Sequence, residues 1–167
     1  MSLSELRDTA KLLAYGEKVL AAHPDNLPAL LLLANAYVDD PKPGSVAKAV
    51  TYAQRAIAAA KADAPDADRS RKLSAGAAHA TLGYAYMKQE KTAAAITELA
   101  AGAAMLKGED EQQYAIAEYR LGYAYAKVNK TTEARTALTA AAAIAGPVQQ
   151  PAKDLLVKVN AARAKGK

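Results

Sequence analysis

Few side chains in this sequence could do chemistry. The 167 residues hold two histidines, His23 and His79, and no Cys. Histidine metal clusters, zinc fingers, disulfides and cysteine nucleophiles are therefore excluded. His79 falls on an apolar helical stripe and reads as a packed, hydrogen-bonded residue. His23 stands before Pro24 and reads as a cation at a helix end. Asp63, Asp66 and Asp68 faintly suggest a calcium loop, but the turn Gly and bidentate Glu of such loops are missing. They read instead as a solvated loop with a helix cap. There is no phosphate-cradling Gly-rich loop, no Gly-x-Ser-x-Gly elbow and no His-Glu-x-x-His. No Asp/Glu pair has an apolar setting that would perturb it. The expectation is a protein with no catalytic residue, metal or cofactor, and not an enzyme.

The elements that would position any other site are all helices. Breakers divide the chain: His23-Pro24, Asp39 through Gly44, Ala62 through Asp68, Lys107-Gly108, Asn129-Lys130 and Gly146-Pro147. Between them the sequence predicts helices over about 4–22, 27–38, 45–61, 70–89, 92–106, 111–128, 131–145 and 151–164. Ser4 and Ser45 are read as caps. No β-branched run of period two suggests a strand. Ala dominates the apolar half of the composition, and nine Tyr supply all the aromatic volume. Small, helix-favouring residues allow many helices to pack closely.

Internal repetition is the strongest signal. Leu82-Gly83-Tyr84-Ala85-Tyr86 returns unchanged as Leu121 through Tyr125, an offset of 122 − 83 = 39 residues. In each copy an Ala follows twelve residues after the Gly (Ala95, Ala134) and a Leu four later (Leu99, Leu138). A looser copy runs Leu30-Leu-Leu-Leu33-Ala34-Asn-Ala-Tyr37, then Ala49 and Ala53. Residues 79, 82, 83 and 86 share one stripe, as do 118, 121, 122 and 125. A Gly inside a helix costs about 1 kcal/mol relative to Ala. Gly83 and Gly122 therefore predict a close approach by a second helix, with Ala95 and Ala134 as the facing residues. Leu82, Tyr86, Leu121 and Tyr125 are expected to fill the space around them.

These motifs resemble the tetratricopeptide repeat, whose signature is W-x₂-L-G-x₂-Y, then A-x₃-F, then P. His79 or Glu118 stands in place of the Trp, and Leu99 or Leu138 in place of the Phe. The resemblance covers about residues 4–146 and implies a right-handed α-α superhelix of seven to eight antiparallel helices, one domain over 1–167. Its parts would be an N-terminal half-repeat or cap helix (1–24), a degenerate repeat (27–62), two repeats (70–107 and 111–146) and a C-terminal cap helix (151–165). In this family a second row on the first helix of each repeat lines a concave groove that grips peptides or helices. Here that row is 28, 31, 35, 38 and 39, then 77, 80, 84, 87 and 88, then 116, 119, 123, 126 and 127. It would present Leu31, Asn35, Tyr84, Met87, Lys88, Tyr119, Tyr123 and Lys127. Asn35 matches the family's carboxylate clamp, whereas Tyr84 and Tyr123 replace its other polar residues.

A non-enzymatic protein- or peptide-binding scaffold is the expected function. One alternative is self-association, in which Leu6, Leu12, Leu13 and Val19 of the first helix meet a second copy. Another is weak, salt-sensitive binding to nucleic acid or an anionic surface. The formal charge of +5 comes from the last 57 residues, with nine Lys/Arg against four Asp/Glu, including Arg163, Lys165 and Lys167. Leu155, Leu156, Val159 and Ala162 form an apolar stripe expected to cap the array. No stretch is apolar enough to span a membrane. Met1-Ser2-Leu3 resembles a cloning remnant with no signal peptide behind it, so cytoplasm and periplasm both stay open.

Overall fold

The computed structural model describes the backbone of residues 3–64 and 67–165, with side chains over 8–64 and 67–161. All regular structure among them is helical. The eight helices are α1 (Leu3–Ala22), α2 (Leu27–Asp39), α3 (Ser45–Ala60), α4 (Arg69–Lys88), α5 (Thr92–Leu106), α6 (Glu111–Lys127), α7 (Thr131–Ala143) and α8 (Gln149–Lys165). Each packs on the next in sequence. Contacts also run from α2 to α4, α4 to α6 and α6 to α8, whereas α3 and α5, or α5 and α7, do not touch. The even-numbered helices thus lie closer together, and the array curves toward them. The result is a helical repeat, or α-solenoid.

Local sequence sets the helix ends. The side chains of Asn26, Asp68 and Asp110 accept hydrogen bonds from the backbone N–H of Ala29, Arg71 and Gln113, at 3.0, 2.8 and 3.0 Å. These satisfy donors that the first turn leaves without partners. Asp68, from the aspartate-rich loop, is therefore a cap; Asp66 lies outside the described residues. Ser45 does not cap α3. Gly44, at φ 85°, occupies the cap position, and the Ser45 hydroxyl donates to the buried Asp40 carboxylate at 2.5 Å. Ser4 stands within α1, and its side chain is outside the described set.

The turn after the repeated pentapeptide is built the same way twice. Glu90 (φ 59°) and Asn129 (φ 58°) are both left-handed. The N–H of Lys91 reaches the Tyr86 carbonyl at 2.9 Å, and that of Lys130 reaches the Tyr125 carbonyl at 3.0 Å. These six-to-one bonds close each helix.

The core runs as seams between helices rather than around one centre. Its largest fully buried side chains are Leu30, Leu33, Leu99, Leu106 and Leu138. Burying each such Leu contributes about 1.5–3 kcal/mol. Within a repeat the seam is made by glycine: a Cβ on Gly83 would sit 2.6 Å from Leu99 Cγ and 3.1 Å from the Ala95 carbonyl oxygen. On Gly122 it would sit 2.6 Å from Leu138 Cγ and 3.2 Å from the Ala134 carbonyl oxygen. The neighbouring Leu faces the preceding repeat: Leu82 clusters with Ala34 and Ala53, and Leu121 with Ala95 and Leu99. Tyr86 and Tyr125, half-buried, pack beside these clusters.

α1 is fastened differently. Glu17 accepts hydrogen bonds from the hydroxyls of Tyr37 (3.0 Å) and Tyr52 (2.7 Å), whose rings stack at 5.7 Å. Burial raises both phenol pKa values, and the nearby Glu17 charge adds to the rise. At the other end α8 buries Ala152 and Val159 against α7, with Leu155 and Leu156 half-buried beside them. Ala162, assigned to the same stripe, lies outside the described side chains.

Candidate functional site

Helix geometry and the even-to-even packing define one inner surface. On each even helix the residue just after the seam position points roughly 100° away from it. These residues are Asn35 on α2, Tyr84 on α4 and Tyr123 on α6. The residue two before the next repeat's seam Gly reaches back to each in turn. Thr81, buried, donates its hydroxyl to Asn35 Oδ1 at 2.7 Å. Arg120 lays its guanidinium 3.8 Å from the centre of the Tyr84 ring. Lys88 adds a second cation at 4.9 Å from that ring and an ion pair of 3.1 Å to Asp39 on α2. Three helices are joined across this face by two polar bridges and one cation–π contact. Burial lowers the pKa of the Arg120 guanidinium, an effect opposed by Tyr84 and Asp39.

Tyr123 has no such cover and is 43% exposed, with Lys127 exposed one turn on. Tyr84 is half-buried and also packs against the cluster of α2 and α3. The inner row is therefore 32, 35 and 39, then 77, 81, 84 and 88, then 116, 120, 123 and 127. That is rotated from the row expected from sequence. Leu31, Met87 and Tyr119 turn into the seams instead: Leu31 against the α1–α3 cluster, Met87 beside Ala95 and Leu99, and Tyr119 beside the α7–α8 cluster. Ala80 is buried against α5, because Gly102 approaches its backbone. Asn35, Tyr84, Lys88, Tyr123 and Lys127 remain on the face, joined by Asp39, Thr81 and Arg120. Arg120 carries a usable sequence signal: 116, 120, 123 and 127 follow the three-to-four spacing of one helical stripe.

Other polar groups lie away from this face. His79 Nδ1 is 2.6 Å from Glu98 Oε2, a half-buried pair tying α4 to α5. Burial raises the pKa of the Glu118 carboxyl, while a hydrogen bond from Tyr114 and the charge of Lys107 pull the other way. A cleft of about 540 Å³ between α4, the end of α5 and the turn after α3 is lined by Leu73, Met105, Lys72 and Lys107, and by the Arg69–Glu109 ion pair. A second depression, between α1 and α2, joins the inner face at Leu12, Leu32, Asn35 and Asp39.

Of the residues proposed for self-association, Leu13 and Val19 pack inside the chain. Leu12 stays 41% exposed, next to a 67% exposed Tyr15, and the Leu6 side chain is outside the described set. Arg163, Lys165 and Lys167 also fall outside the described side chains. Among the described residues no helix is long and apolar enough to cross a membrane. No protein-family model matches the chain, and no curated protein matches it in sequence.

Proposed function

We propose that the chain is a tetratricopeptide-type scaffold that holds a protein or peptide on the inner face of its even-numbered helices. One observation supports this above the rest: equivalent positions of three successive repeats, Asn35, Tyr84 and Tyr123, form one surface, edged by Lys88 and Lys127. Tyr offers contact area at little ordering cost, and an exposed ring beside a rigid, packed one suits an anchor point. Repeat arrays present such extended surfaces without needing mobile loops.

Peptides selected from a random display library on the whole chain test this reading. Asn35→Ala with Tyr123→Ala is expected to weaken the selected peptides about tenfold or more. Arg135→Gln, on α7 and so on an odd-numbered helix, is expected to leave them unchanged. Peptides indifferent to the inner-face pair would place recognition elsewhere.

Self-association is a second reading, favoured by the exposed Leu12 and Tyr15 on α1. It predicts a dimer in light scattering that Tyr15→Ser disperses, and a monomer at every concentration would remove it.

A further inference from the structure

We infer that copies of this chain join head to tail, α8 of one copy lying in the groove between α1 and α2 of the next; this rests on the self-association reading above. Every interior even-numbered helix occupies such a groove. α2 packs on α3 and α4, α4 on α5 and α6, and α6 on α7 and α8. Among the described residues no helix fills the equivalent place between α1 and α2. A depression of about 470 Å³ lies there, lined by Leu12, Leu32, Ala36 and Asp39 among others.

α1 has the sequence of an odd-numbered helix. Lys11-Leu-Leu-Ala-Tyr15-Gly-Glu-Lys18 stands 48 − 11 = 37 residues before Lys48-Ala-Val-Thr-Tyr52-Ala-Gln-Arg55. The packing agrees, since Gly16 meets Leu33 of α2 as Ala53 clusters with Leu82 of α4. In this register Leu12 corresponds to the fully buried Ala49. Tyr15 corresponds to Tyr52, whose ring stacks on Tyr37 of the preceding even helix. On α1 both residues are exposed.

α8 has the complementary need. Ala152, Leu155 and Val159 repeat the spacing of Tyr114, Ala117 and Leu121, the edge by which α6 packs on α5. That register puts Val157 in the place of Tyr119, which packs into the cluster of α7 and α8. Yet Val157 is exposed. Leu12, Tyr15 and Val157 are three of the five large apolar side chains exposed among the described residues, so bare apolar surface gathers on these two helices. A polar outer side is what keeps the terminal helix of an array soluble. Charge favours the same pairing: the charged residues lining the groove are Asp39 and Asp40, whereas α8 carries Lys153, Lys158, Arg163 and Lys165 against Asp154. Such a joint leaves an open groove at one end and an open α8 at the other, so assembly continues past a dimer.

Sedimentation and light scattering of the whole chain test this. The average mass should climb past that of a dimer as concentration rises. Tyr15→Glu and Val157→Glu, both at exposed positions, should each weaken association about tenfold or more, with helix content and urea unfolding unchanged. Leu12→Ser and Val157→Ser, milder changes, should act in the same sense. Mixed one to one, the two Glu variants should form a heterodimer and stop there. The intact α8 of the first then fits the intact groove of the second, while the other joint stays blocked.

A dimer that Tyr15→Glu disperses and Val157→Glu leaves intact would overturn the head-to-tail joint and spare self-association through α1. A monomer at every concentration would overturn both. A mixture of the two variants that stays monomeric, or growth past a dimer by Val157→Glu alone, would each overturn the joint.

Discussion

The pairs α4–α5 and α6–α7 carry the same pentapeptide, the same left-handed turn and the same glycine seam, yet they differ at both ends of that seam. In α4–α5 the far end is closed by two more glycines. A Cβ on Gly102 would lie 2.8 Å from both the Ala80 nitrogen and the Gly76 carbonyl oxygen. One repeat later the corresponding residues are Ala115 and Ala141, and Ala80 is replaced by Tyr119. With side chains at all three places, α6 and α7 cannot approach as closely there. Tyr119 packs instead against the cluster that α7 forms with α8. The inner face differs too: Tyr84 is covered by Arg120 from the next repeat, whereas Tyr123 is open. A repeated motif fixes how a helix pair closes, and the following repeat decides what is buried.

The largest effect should break this comparison at the seam. Gly102→Ala forces a methyl group against backbone and should destabilise the chain by about 1–3 kcal/mol or more, against its gain in helix propensity. Ala141→Gly should cost about 1 kcal/mol, the ordinary helix penalty. Equal losses in urea unfolding would mean the two seams are alike. Tyr84→Ala comes next. Its ring lies against the α1–α3 cluster and under Arg120, so a loss of about 2–3 kcal/mol is expected in the same measurement, toward the low end for large-to-small changes at partly buried sites.

A smaller effect sharpens the comparison of turns. Asn tolerates the left-handed region better than Glu. Glu90→Asn should therefore stabilise by up to about 1 kcal/mol, while Asn129→Glu should reverse that gain at the other turn. Smallest of all is the pH effect at Glu118. Burial raises its folded pKa above the unfolded value, so its contribution favours the fold at low pH and is lost as pH rises through the carboxylate range. Glu118→Gln should raise Tm at neutral pH, with the difference vanishing below the unfolded pKa. A constant difference across pH would assign the effect to packing instead.

Most of the helix boundaries were legible because breakers such as Pro24, Gly108 and Gly146-Pro147 act locally. The seam of Gly83 and Gly122 was legible because it recurs. Gly76 and Gly102 were not, since the next repeat replaces them with Ala. Gly16, where a Cβ would lie 2.8 Å from Leu33, has no copy to compare. The inner row was read with the wrong rotation for a similar reason. Periodicity defines a stripe on one helix, but the neighbouring helix decides which edge of that stripe is covered. The spacing of 116, 120, 123 and 127 places Arg120 on the face, but its contact with Tyr84 on another helix leaves no local pattern. Ser45 was misread because its hydroxyl finds Asp40 five residues earlier instead of the next turn's backbone.

Tyr123 tests the account most directly, because it is the one place where the repeated motif and its burial part company. Folding stability and affinity for an inner-face peptide should be measured on the same Tyr123→Ala sample. The account predicts stability unchanged to within about 0.5 kcal/mol, as for surface positions, and affinity reduced about tenfold or more. A stability loss matching that of Tyr84→Ala, with affinity unchanged, would show that Tyr123 is a packing residue and that the inner face is not where this protein binds.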